Sequence, residues 1–121
     1  MKKKKSRVKI ADELWRDCIK ARAGYKCERC GSTRNLHSHH VIPRTDYSLR
    51  YDLDNGVCLC HRCHFYWAHK DALDFANWFK FKYPVIMEYL QNERGGTERN
   101  DYDLVINRLE AKLEQMTGER P

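Results

Sequence analysis

The sequence predicts a small α+β domain with helices on both sides of an irregular centre. Apolar residues recur with a helical period near both ends of the chain, and such a period is typical of amphipathic helices. Between them, residues 25–64 break into turns and short strand-like pieces and contain two C-x-x-C motifs. Because 121 residues lie within the usual size of one domain, we expect a single compact unit with short tails.

The expected helices follow from the spacing of apolar residues and from their end signals. The first covers residues 10–23, with Asp12 suited to its first turn and Gly24 to its end. Later helices are expected at about 61–69, within 71–83 and over 84–90. The chain then divides into a disordered basic arm (1–9), a central domain (10–90), a polar linker (91–100) and a C-terminal amphipathic helix with its tail (101–121).

The composition is typical of a soluble globular protein. No apolar run approaches the ~20 residues that cross a bilayer, and the lysines at positions 2–5 are followed by no apolar segment of a secretory signal. We therefore expect an intracellular, cytoplasmic protein, in which disulfides seldom persist. The six cysteines need another explanation.

The net charge indicates a polyanionic partner. Lys and Arg exceed Asp and Glu by 23 to 17, which gives a formal charge of +6. Basic surface gains affinity for phosphate backbones by releasing counterions, so nucleic acid is the natural partner. A membrane surface is a weaker alternative, and a charge of this size also keeps a small domain soluble.

The paired C-x-x-C motifs predict a structural zinc site. Two residues between cysteines let both thiolates reach one tetrahedral ion, and two such motifs complete four ligands. A redox pair would need only one motif within a βαβ pattern, which the sequence does not have. Cys18 and Cys58 are left over and are expected to be buried thiols. The four expected zinc ligands are Cys27, Cys30, Cys60 and Cys63.

The segment LHSHHVIPR, residues 36–44, is unusually rich in histidine. Histidine both holds transition metals and moves protons near neutral pH, so the cluster favours a catalytic interpretation over a polar strand face. A zinc ion bound at 27–30 and 60–63 would clamp the segment between them. It would thereby draw His39, His40, Asn55 and His64 into one small volume.

Together, LHSHHVIPR, LDNGVCLCHRCH and the paired C-x-x-C resemble the HNH endonuclease family, including its zinc-stapled phage forms, over about residues 25–70. The resemblance implies a ββα-metal fold, in which a two-stranded hairpin and a helix surround one divalent ion. It places one strand around Val41, the second over 57–59, and the start of the helix near His61.

The resemblance also implies a role for each motif residue. His40 would be the general base, and Asn55 would hold the loop that carries it. His39 and His64 would bind the catalytic divalent ion, which could be Mg²⁺, Mn²⁺, Ni²⁺ or Zn²⁺. His69 is an open candidate for a further ligand. It follows His64 by five residues, and residues at this spacing in a regular α-helix do not share a face, so His69 could reach the ion only if the helix is distorted.

Simpler interpretations of these residues stay open. Asp54-Asn55-Gly56 is a good hairpin turn, since Asn and Gly tolerate positive φ. His64 could be a spare zinc ligand. In a regular strand, His39 and His40 point to opposite faces, so a bend or loop must bring both to one phosphate.

The function that the resemblance implies is that of a metal-dependent DNA endonuclease of low sequence specificity, which nicks DNA or cuts both strands. The alternative is a non-catalytic, zinc-stabilised nucleic-acid-binding module or adaptor. Its C-terminal helix could form a homodimer or dock on a phage packaging or recombination partner. Phosphate contacts are expected from four basic residues near the site: Arg44, Arg50, Arg62 and Lys70.

Overall fold

The computed structural model describes residues 4–118 and confirms the predicted small α+β class. The described part of the chain has five helices and one antiparallel sheet of two strands. The fold begins with α1 (Arg7–Arg22), β1 (Leu36–His40) and a 3₁₀ turn (Leu53–Asn55). It continues with β2 (Gly56–Cys60), α2 (His61–Cys63), a π-helical turn (His64–Ala68), α3 (Ala72–Lys82), α4 (Pro84–Glu93) and α5 (Tyr102–Thr117).

The sheet lies between two apolar clusters. β1 and β2 pair so that His39 faces Val57 and His40 faces Gly56. Successive side chains of a strand point to opposite faces, so Val57 joins a cluster with α3 and α4, whereas Cys58 joins one with α1 and α5. β2 is buried throughout and fixes the position of β1 beside it.

The first helix starts earlier than the expected residue 10. Ser6 is its N-cap, and its Oγ accepts a hydrogen bond from the Lys9 amide at 3.1 Å, which satisfies one of the free amides of the first turn. Residues 7–9, which we assigned to the basic arm, therefore belong to α1, while residues 1–3 of that arm lie outside the described residues. The division of the chain into domains stays a prediction.

The two ends of the chain pack against each other. The buried side of α5, with Val105, Leu109 and Leu113, lies on α1, and the Cys18 thiol donates to the Leu109 carbonyl at 3.4 Å. Burial raises the pKa of both Cys18 and Cys58 to about 11, in agreement with their prediction as buried thiols. The expected dimer or partner contact through α5 stays a prediction, and it would use the outer side of this helix.

The first strand and the fourth helix end at residues that differ from the predicted ones. The first strand ends at His40, one residue before Val41, around which it was expected. α4 continues to Glu93, so its last turn takes up residues that we assigned to the linker. Within residues 4–118, no helix combines the length and the apolar character that a bilayer crossing requires.

Gly56 allows α1 to approach the sheet. A Cβ at this position would lie 2.7 Å from Trp15 Cζ2 and closer still to the Ile19 side chain. Its φ of −145° is open to any residue, so the restriction is one of space. We expect Gly56→Ala to lower the free energy of unfolding in urea by about 1–3 kcal/mol, the usual cost of overpacking.

The Gly56 prediction has an internal control. In an Ile19→Val background, which removes one of the clashing carbon atoms, the same substitution should cost less. An equal cost in both backgrounds would show that contact with Ile19 is not the reason for the glycine.

Candidate active site and metal centres

The first candidate centre consists of the four predicted cysteines. The Sγ atoms of Cys27, Cys30, Cys60 and Cys63 all lie within 4.8 Å of one another, and Cys30 and Cys60 are separated by 3.6 Å. Four sulfurs around one tetrahedral zinc lie about 3.8 Å apart. The number, type and spacing of these donors therefore fit a structural metal ion.

The surroundings shift the pKa values of these thiols in different directions. Burial alone would raise the pKa of Cys27, but backbone amides, including those of Cys30 and Cys60, lower it to about 7. Burial raises the pKa of Cys63 to about 12 even though the Arg29 guanidinium, 3.7 Å from its Sγ, acts in the opposite direction. Arg29 also lies 3.9 Å from the centre of the Trp67 ring. Sequence patterns did not single out this arginine, which lies between Cys27 and Cys30 along the chain.

The second candidate centre consists of three histidines. The ligand nitrogens of His39, His64 and His69 lie within 4.8 Å of one another, and the Nε2 atoms of His64 and His69 are 3.0 Å apart. Two ligands held about 2.1 Å from one ion at a right angle lie about 3 Å apart. Imidazole nitrogens suit several divalent transition metals, so this donor set also fits a metal ion.

The π-helical turn brings His69 to the cluster. The His69 amide donates to the His64 carbonyl at 3.1 Å, five residues back, and this spacing places residues i and i+5 above each other. The expected α-helix over 61–69 was wrong in this part, and the helix is distorted in the way that His69 needs to share a face with His64. Cys63 of the first centre directly precedes His64 of the second.

The surroundings of His39 and His64 favour neutral imidazoles. Burial and the neighbouring histidines lower the pKa of His39 to about 3 and that of His64 to about 4. Neutral imidazole is the form that binds metals. The Phe75 ring meets His39 edge-on, with ring centroids 4.8 Å apart, and closes one side of the cluster.

His40 lies on the opposite face of β1, as strand alternation predicted. Its ring stacks on Trp15 of α1, with centroids 3.7 Å apart and an angle of 3° between the planes. Its Nε2 is 2.9 Å from the Arg50 carbonyl; since a carbonyl can only accept, Nε2 carries the proton and Nδ1 is left as an acceptor. Burial lowers the pKa of this imidazole.

Because β1 ends at His40, the two faces meet at one cleft. His39, His40, His64 and His69 all line a cavity of about 750 Å³. His39 and His40 therefore border the same cavity, although their side chains point to opposite faces of β1.

Asn55 fixes the loop that follows His40. It is fully buried, and its Oδ1 accepts from the Ile42 amide at 2.7 Å. Its Nδ2 donates to the carbonyls of Ile42 and Leu49 at 2.9 and 3.0 Å. The hairpin-turn interpretation is wrong: Asn55 ends a 3₁₀ turn, and residues 41–55 form a long connection whose described residues have negative φ.

The comparison with protein families agrees with this geometry. Residues 27–65 match the family model described as HNH endonuclease. The chain therefore carries an HNH domain. The predicted resemblance to the HNH endonuclease family is confirmed over this segment, and an HNH domain indicates nuclease-type function in general, whereas the phage-type detail stays a prediction. Comparisons with curated proteins and with solved structures gave no match.

Much of the site lies outside the segment that matches the HNH model. Trp15, which stacks on His40, belongs to α1, and His69 follows the last matched residue. Gln91 of α4 and Arg94, which directly follows this helix, line the same cleft. Sequence patterns missed both residues, because neither lies near the HNH motifs along the chain.

The four basic residues expected near the HNH site occupy different environments. Arg44 is exposed and lines the cleft. Arg50 makes two hydrogen bonds to the Asp12 carboxylate, at 3.0 and 2.7 Å, and this carboxylate offsets part of its positive charge. Arg62 is exposed on α2, and Lys70 is exposed with its Nζ 5.1 Å from the centre of the Tyr66 ring. Their contacts with phosphate stay predictions.

Proposed function

We propose that the chain is a metal-dependent HNH DNA endonuclease that hydrolyses phosphodiester bonds with low sequence specificity. One observation supports this most directly: the cluster of His39, His64 and His69 opens onto the same cleft as His40. A protein that only binds nucleic acid does not need three histidines placed to hold a metal ion next to an imidazole, that of His40, whose orientation is fixed. The finer predictions of a nicking or double-strand activity and of a phage-type role belong to the same proposal.

In this proposal His40 is the general base. The Arg50 carbonyl holds the proton on Nε2, and Trp15 fixes the plane of the ring. Nδ1 is then free to take a proton from a water molecule as that water attacks the phosphorus atom. The oxygen of the water forms the new P–O bond, and the bond to the 3′ oxygen breaks.

The three-histidine cluster would hold the catalytic divalent ion, which could be Mg²⁺, Mn²⁺, Ni²⁺ or Zn²⁺. When bound, such an ion supplies positive charge that stabilises the phosphate and the leaving oxygen in the transition state. Asn55 keeps the loop after His40 in place, and Arg44 offers a positive charge at the cleft for a neighbouring phosphate. The four cysteines would hold the structural zinc.

The test is the conversion of supercoiled plasmid by zinc-loaded protein, with and without added Mg²⁺, Mn²⁺ or Ni²⁺. Nicked or linear product that depends on the added ion is the expected result. If the protein shifts DNA on a gel but no ion gives product, the non-catalytic binding module or adaptor replaces the nuclease.

His69 should be needed for metal binding at the three-histidine cluster. We expect His69→Ala to weaken the binding of Ni²⁺ or Mn²⁺ to zinc-loaded protein by at least about tenfold, because a ligand is lost. Calorimetric titration measures this affinity. His61→Ala is the matched control, since His61 is exposed on the same stretch of helix and is not part of the cluster. Equal affinity of the His69 variant and the wild type would remove His69 from the ligand set.

A further inference from the structure

The cleft extends beyond the histidines into a region built by α3 and α4. Its lining includes residues 41–43, together with Ala72 and Ala76 from α3 and Met87 from α4. These residues are all apolar. The two helices lie outside the segment that matches the HNH family, so the family model says nothing about this region.

The charge along the cleft is positive. Arg44 and Arg94 are both exposed and both line it. Among the residues that the structure describes, no Asp or Glu contributes to the lining. The cleft therefore combines an apolar interior with arginines that suit phosphate groups.

We propose that this extension binds the base and sugar of one unpaired deoxynucleotide next to the scissile phosphate. The inference rests on the proposed function and names its substrate class: DNA with an unpaired strand at the cleavage site.

The physical argument concerns what can fill an apolar cleft. In a paired duplex the bases are stacked inside, and the outer surface offers mainly phosphates and sugars, which cannot replace water against apolar walls without cost. A nucleotide taken out of the stack offers the flat face of its base. The whole cleft, with the histidines and the extension together, has a volume of about 750 Å³, which is within the range of sites that enclose a small molecule.

The first test is DNA binding by zinc-loaded protein without any other divalent ion. Fluorescence anisotropy would compare a fully paired duplex with the same duplex carrying a short single-stranded gap. We expect the gapped DNA to bind at least about tenfold more tightly, as base contacts in such a pocket allow. Equal affinity for the two DNAs would overturn the inference.

Two pairs of variants locate the preference. Ala76→Leu fills the cleft and should remove most of the preference for gapped DNA, whereas Asn77→Leu, at an exposed position of the same helix, should keep it. Arg94→Glu should weaken the binding of gapped DNA about tenfold, whereas Arg99→Glu, which lines a different cavity, should change it little. Thermal melting checks the fold, and Arg94→Glu decides the matter if Ala76→Leu does not fold. A preference that survives substitution at the cleft would overturn the inference.

Cleavage of the same two DNAs separates this inference from the proposed function. A binding preference without cleavage by any ion would support the nucleotide site and contradict the nuclease. Cleavage of both DNAs at equal rates, with equal affinities, would support the nuclease and contradict the nucleotide site.

Discussion

Replacing His40 by alanine should lower the rate of plasmid cleavage by at least about 100-fold, the lower end of what a positioned general base contributes. The variant loses the imidazole that the proposal assigns as general base, while all three histidines of the second centre are retained. DNA binding should change little, because the charge of the cleft comes from other residues. Single-turnover conversion of supercoiled plasmid measures the rate, and a gel shift measures the binding.

The structural role of His40 must be separated from its chemical role. Its ring stacks on Trp15, so the alanine variant also loses packing, and its melting temperature should be measured beside the rate. His40→Gln keeps a planar polar side chain and should melt closer to the wild type while staying inactive. His61→Ala is the matched control and should cleave at the wild-type rate. If His40→Ala is unfolded and His40→Gln is active, His40 is a structural residue.

Replacing Cys27 by serine should unfold the centre of the chain. Structural zinc sites contribute roughly 10–16 kcal/mol of apparent binding free energy at neutral pH, and this energy is part of folding. The segment between the C-x-x-C motifs contains two short strands and a long connection, and a zinc ion bound to both motifs would join its two ends. We expect the loss of bound zinc, a large decrease in melting temperature, and the same result when a chelator removes zinc from the wild type.

Cys58→Ala is the control for the cysteine prediction. Cys58 is as buried as Cys27, but its Sγ is not among the four that could share an ion. This variant should keep one zinc per chain and lose only the stability expected for a small cavity, about 1 kcal/mol. A Cys27→Ser protein that melts at the wild-type temperature would contradict the structural role of the metal.

The residues with short-range signals were predictable. A C-x-x-C motif is defined by its own spacing, and the alternation of a strand was enough to put His39 and His40 on opposite faces. Asn55 is different, because its sequence suited a turn as well as a buried amide. The choice between these two interpretations depends on how residues 41–55 fold, and a local sequence pattern does not predict this.

The remaining features depend on deviations from regular geometry or on contacts between distant residues. The interpretation of His69 assumed 3.6 residues per turn, and the π-helical turn breaks that assumption. The stacking of Trp15 on His40 and the contribution of α4 to the cleft depend on how separate helices pack. A single sequence carries no direct sign of such contacts.

A single peptide bond separates Cys63 from His64, so the two candidate centres share one rigid piece of backbone. If the first ion orders this turn of backbone, the second ion binds to a turn that is already ordered. The two affinities are then thermodynamically linked, and the linkage is reciprocal: each ion tightens the binding of the other by the same factor. Zinc in the cysteine site would thus set the affinity of the histidine site, and a chain that loses this zinc, with its centre unfolded, would also lose the proposed catalytic ion.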